Sequence, residues 1–238
     1  MSDRTLRFVV KPAVFLASLG PLGWLVWAAL TGNLSVNPLS DLTNETGVWT
    51  LRFICITLAI TPLRKLTGWN PFIRFRRMAG LFAFFYGTLH LTTYAIVDRF
   101  AGLDQAAGWV EALSGGHVPG GALVASTLRS LAKSIGEDIY KRPFITIGFA
   151  TWVSMLPLAI TSTAGWIRRL GGKRWNRLHR LVYLTGILGP LHYWWLVKAD
   201  VSRPLTYAAV VAALLGVRLF WIRSRRAPAP VRASATPA

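Results

Sequence analysis

Cysteine occurs once in the chain, at Cys55. A lone cysteine forms no disulfide within the chain, and without a C-x-x-C-H stretch there is no standard site for covalent c-type haem attachment. Charge is also scarce. Asp, Glu, Lys and Arg make up 15% of the residues, where a soluble domain carries about a quarter. No G-x-G-x-x-G is present, so no motif marks a nucleotide-binding module. The apolar run after the first dozen residues is too long for a signal peptide and is followed by no A-x-A site, so it reads as a first membrane span. What is abundant fits a bilayer: 53% hydrophobic residues, a mean hydropathy of +0.43 and 11 Trp, a residue favoured where hydrocarbon meets headgroups.

A span takes about 20 mainly apolar residues. Six stretches qualify, at roughly 13–31, 47–63, 78–97, 143–162, 181–197 and 204–221, which predicts an all-α, six-helix transmembrane bundle. The basic residues fall between these stretches in a pattern. Arg4, Arg7 and Lys11 precede the first span, and Arg64 to Arg77 separate the second from the third. Arg168 to Arg180 separate the fourth from the fifth, and Arg218 to Arg232 end the chain. Every acidic residue except Asp3 lies on the opposite side. By the positive-inside rule both termini are cytoplasmic in a bacterial inner membrane. The net charge of +18 is then a topology signal, and nucleic-acid binding is excluded as its explanation. Residues 1–226 read as one transmembrane domain with a long periplasmic connection at 98–142. Within that connection, Ala122–Ile135 reads as a short amphipathic helix. The Pro- and Ala-rich 227–238 tail reads as a disordered cytoplasmic end.

Three of the four histidines lie in or at the ends of spans: His90, His179 and His192. His117 falls in a glycine-rich loop and reads as solvated. Ionisable residues inside a bilayer are costly and mark function. His90 follows Arg77 by about 20 Å of helix and His192 follows Arg180 by about 18 Å, so their imidazoles share one level near the periplasmic side. Two imidazoles facing each other from neighbouring helices suit bis-histidine haem iron. His179 sits about 20 Å below His192, at the cytoplasmic edge. On an ideal continuous helix those two point about 140° apart, and Gly189-Pro190 is the place where a kink would swing His192 round. Gly80, Gly87, Gly186 and Gly189 let either a macrocycle or another helix approach closely.

Four segments carry a resemblance: TGVWTLRFICITLAITPLR (46–64), RRMAGLFAFFYGTLHLTTY (76–94), DIYKRPFITIGFATW (138–152) and RWNRLHRLVYLTGILGPLHYWWLVKAD (174–200). Together they resemble the MsrQ (formerly YedZ) family, haem-binding membrane subunits of bacterial protein-methionine-sulfoxide reductase systems. That family lies within the ferric-reductase-like transmembrane superfamily. The resemblance implies two haem ligands on each of helices three and five, 13 or 14 residues apart. His179 and His192 fit this pattern. His90 fits, but Arg76 stands 14 residues before it. The implied outer b-type haem, between His90 and His192, is complete. An inner haem on His179 lacks a second histidine, and Arg76 is placed to meet a haem propionate or a flavin phosphate. The resemblance also implies bound FMN, a cytosolic flavin reductase or a quinol as donor, and a periplasmic molybdopterin methionine-sulfoxide reductase as acceptor. The chain is then an electron-transfer subunit with no catalytic residues of its own. A stand-alone ferric or quinone reductase shares the haem features. A proton-coupled transporter would need acidic partners within the spans, which contain none.

Overall fold

The computed structural model describes residues 2–224; the 227–238 tail lies outside the described residues. The described residues are all helix and connection, with no strand among them. Nine helical segments follow one another: α1 Asp3–Leu30, α2 Pro38–Thr67, α3 Asn70–Arg99, α4 Ala106–Ser114, α5 Gly121–Lys141, α6 Pro143–Ile160, α7 Ala164–Leu178, α8 Leu181–Leu196 and α9 Ser202–Ser224. Five of them, α1, α2, α3, α6 and α9, are long and apolar enough to cross a membrane. In hydrocarbon every backbone N–H and C=O must be satisfied within the segment, so apolar runs of this length become helices. The sixth expected span corresponds to α8, which has 16 helical residues.

Local signals set the helix ends. The Asn37 side chain accepts a hydrogen bond from the Ser40 N–H with Pro38 in the first turn, and α2 stops at Gly68, whose φ of 69° a side chain would disfavour. Pro143 opens α6. The region expected as a long loop with one short helix is instead a pair of helices, α4 and α5. The amphipathic helix extends beyond the expected 122–135 to Lys141. The two are tied by Trp109 Nε1 donating to Thr127 (2.9 Å) and by Gln105 Nε2 donating to Ser130 (3.1 Å).

α2 packs most extensively on α3, and α6 on α8, with α9 closing against α2 and α8. Aromatic rings fill the first seam: Phe53 stacks on Tyr86 and on Phe82, each at a centroid distance of 5.4 Å. Tyr86 is fully buried and attaches α1 to the bundle. Its hydroxyl donates to Ser18 O (2.8 Å) and accepts from Leu22 N–H (3.3 Å), so it is inserted into the i→i−4 ladder of α1 just at Pro21. Arg218, expected among the cytoplasmic charges, is buried at 8% exposure. It donates to Tyr183 Oη (3.0 Å) and Leu58 O (2.5 Å), tying α9 to α8 and α2. The exposed large side chains are mostly apolar, including Phe15, Trp24, Trp27, Ile187, Trp194 and Phe220. That pattern fits a surface whose solvent is lipid, with Trp at the span ends.

Candidate functional site

Two cavities of about 330 Å³ each lie between the helices, one around His90 and His192 and one around His179. Ile54 and Met155 line both, so a wall of side chains separates them.

In the first cavity the imidazole of His90, on α3, and that of His192, on α8, face each other with centroids 6.1 Å apart and planes at 76°. The equal depth read from the sequence is therefore realised as proximity. Each ring is oriented by a backbone carbonyl. His90 Nδ1 lies 2.8 Å from Thr43 O, and His192 Nδ1 lies 2.6 Å from Phe144 O. A carbonyl oxygen only accepts, so both Nδ1 atoms carry the proton and both Nε2 atoms keep a free lone pair. This is the orienting bond that metal-ligating histidines characteristically make.

The separation suits one metal between the rings. With imidazole–metal bonds of about 2.0 Å and about 1.1 Å from nitrogen to ring centre, two rings on opposite sides of one ion stand roughly 6.2 Å apart. Among the described residues no group of three or more His, Cys, Asp or Glu is placed to hold a metal. Two imidazoles alone leave four positions of an octahedral ion unfilled, and a macrocycle of four nitrogens fills them. The residues present thus fit a bis-histidine haem.

Two glycines that sequence reasoning passed over make room for the rings. A Cβ at Gly47 on α2 would lie 3.0 Å from His90 Nδ1. A Cβ at Gly148 on α6 would lie 2.6 Å from His192 Cε1. Their signal is purely tertiary, because each glycine faces a histidine on another helix. The glycines singled out from the sequence do different work. Gly87 meets Met155, Gly186 meets Leu58 and Gly189 meets Leu51, so these three serve helix packing, while Gly80 has only ordinary contact with Thr57.

His179 is not on the helix of His192. It caps α7, at φ −68° and ψ −2°, and α8 begins two residues later at Leu181. The 140° offset assumed a continuous helix and so does not apply. The His179 ring stacks on Trp175 at 3.8 Å, and its Nε2 lies 3.1 Å from Thr161 Oγ1. The Thr161 hydroxyl proton is directed at Pro157 O (2.6 Å), so Thr161 accepts from His179 Nε2–H. That nitrogen is engaged, unlike the free Nε2 atoms above. Arg76 and Arg77 line the same cavity with Trp175 and His179, so Arg76 and His179 are brought together, although no hydrogen bond joins them. His117 lies in an exposed turn apart from both cavities.

Residues 46–189 match the family described as "Ferric reductase like transmembrane component". Several curated relatives are similar over nearly the whole chain, each named "Protein-methionine-sulfoxide reductase heme-binding subunit MsrQ". One from Ralstonia nicotianae is 48% identical over 93% of this chain and 89% of its own length. One from Herminiimonas arsenicoxydans is 45% identical over 92% and 88%. One from Xanthomonas oryzae pv. oryzae is 43% identical over 96% and 94%. No solved structure matches. The chain is an integral membrane protein of the ferric-reductase-like transmembrane family and belongs to the MsrQ group within it.

Proposed function

We propose that this chain is a transmembrane electron conduit that holds b-type haem between His90 and His192. The observation that carries this reading is the opposed pair of imidazoles, 6.1 Å apart, with both Nδ1 atoms committed to backbone carbonyls. Haem supplies a one-electron iron couple when bound. The chain's own residues supply two axial nitrogens, fix their tautomer and keep bulk water out with an apolar sleeve. The curated relatives' names, heme-binding subunits of a methionine-sulfoxide reductase, support the same reading.

In this reading α8 completes a six-span bundle with both termini on the cytoplasmic side of the inner membrane, as the charge distribution argues. The inner cavity is the entry point. Its arginines, Arg76 and Arg77, and the Trp175–His179 stack suit a flat anionic redox group, either FMN or a second haem on His179. Electrons come from a cytosolic flavin reductase or a quinol. They pass the wall formed by Ile54 and Met155 and leave at the periplasmic side to a molybdopterin methionine-sulfoxide reductase.

The test is haem content and the visible spectrum of the purified full chain. We expect a Soret band that sharpens on reduction and is lost in both His90→Ala and His192→Ala. In His179→Ala the haem content halves if a second haem sits there, and is unchanged if FMN occupies that cavity. A colourless protein from haem-replete cells, or an unaltered spectrum in both outer variants, overturns the reading.

A further inference from the structure

Away from its histidines, the first cavity has charge at only one end. The charged residues among its lining are Asp98, Arg99 and Arg142. They lie toward the α4–α5 side: Arg99 follows His90 by nine residues on α3, and Arg142 precedes Gly148 by six, about 9 Å of helix. Behind them sits Asp138 on α5, a carboxylate only 7% exposed. Tyr94, one turn beyond His90, donates its hydroxyl to Asp138 Oδ2 (2.6 Å). Arg142 Nε approaches Asp138 Oδ1 at 3.2 Å. Arg99 Nε lies 2.9 Å from Asp138 Oδ2 but is poorly aligned for a hydrogen bond, and its NH2 reaches Asp98 at 3.3 Å.

A buried carboxylate is costly unless paired, so Asp138 accounts for both guanidinium groups being here. It does not use them up. Arg142 meets Asp138 through Nε alone, and among the described residues no carboxylate faces its terminal nitrogens, the fork that grips a carboxylate in two parallel bonds. Arg99 adds positive potential beside it with both of its ion pairs already made. The rest of the cavity wall is mostly apolar and offers a carboxylate no comparable partner.

We propose that Arg142, supported by Arg99 and positioned by Asp138 and Tyr94, is the carboxylate-binding subsite of this cavity and takes a propionate of the macrocycle. This rests on the haem reading above and adds to it an orientation, with the propionate edge toward the α4–α5 helices. Ile135 and Ile139 of α5 line the cavity beside Asp138, so the ligand's polar edge and the α4–α5 pair are fixed by one ion-pair group. Asp138 and Tyr94 are positioning residues that act through Arg142.

The test titrates the haem-depleted, purified full chain with ferric haem and, separately, with its dimethyl ester, which lacks the acid groups but keeps the iron and ring. We expect the wild type to prefer the free acid by about tenfold relative to Arg142→Gln. The variant should bind the ester as the wild type does, with the same bis-histidine spectrum. Arg142→Lys should restore part of the preference, because the charge returns without the planar fork. Unaltered ester binding also shows that the variant is folded. The proposal is overturned if wild type and Arg142→Gln discriminate the two ligands equally, or if the variant weakens both alike. If neither ligand gives a bis-histidine spectrum in the wild type, this proposal falls together with the haem reading beneath it.

Discussion

A methyl group at position 148 would sit 2.6 Å from Cε1 and 2.7 Å from Nδ1 of His192, distances at which the ring must move. That ring is held by one bond, to Phe144 O, four residues before the glycine on the same helix. Gly148→Ala should therefore displace His192 and lower haem affinity about tenfold or more, the scale on which disturbing the orientation of a metal-bound histidine acts. Gly47→Ala meets His90 at a looser 3.0 Å and should cost less. Haem titration of the two variants, with circular dichroism to confirm unchanged helix content, checks the order. Equal effects, or none, would show that the glycines do not set the ring positions. The histidines were legible because polarity in an apolar run stands out. The glycines opposite them were not, since nothing in one helix says which residue of another it will face.

Among the elements, α1 is the one least built into the bundle. It makes few contacts with α2 and α3, and its clearest polar tie is the Tyr86 hydroxyl set between Ser18 O and Leu22 N. Tyr86→Phe keeps the ring stack on Phe53 but leaves a carbonyl and an N–H to find each other across a gap. We expect a loss of about 1–2 kcal/mol, read as a lower thermal midpoint in detergent with the haem spectrum unchanged. A midpoint equal to wild type would mean that α1 closes its own ladder. The element boundaries show where sequence reading stops. Hydropathy located five of the long helices to within several residues, because a bilayer demands length. It did not separate α7 from α8 at His179, where the break is a turn between two polar-capped segments. Nor did it find α4, a nine-residue helix held by Trp109 and Thr127 across two elements. Asp138 was visible as an acidic residue in a loop, but its pairing with Arg99, Arg142 and Tyr94 depends on three separate helices meeting.

At the scale of the whole molecule, the charge asymmetry predicts an orientation. Val118 is 90% exposed in the turn between α4 and α5, and Lys173 is exposed within α7. A thiol in Val118→Cys should react with a membrane-impermeant maleimide added outside spheroplasts, and one in Lys173→Cys only after lysis. The reverse pattern would invert the topology and place the His90–His192 cavity nearer the cytoplasm. The stacking of two cavities across one wall then gives the direction of flow, inward-facing arginines at the entry and the histidine pair toward the exit. All of this depends on the two imidazoles binding one iron from opposite sides. Electron paramagnetic resonance of the ferric protein reads that arrangement directly. Ring planes at 76° leave the relevant iron orbitals close in energy, so the expected signal is low-spin and highly anisotropic, and absent in both His90→Ala and His192→Ala. A high-spin signal in the wild type, or a low-spin signal surviving in His90→Ala, would contradict it.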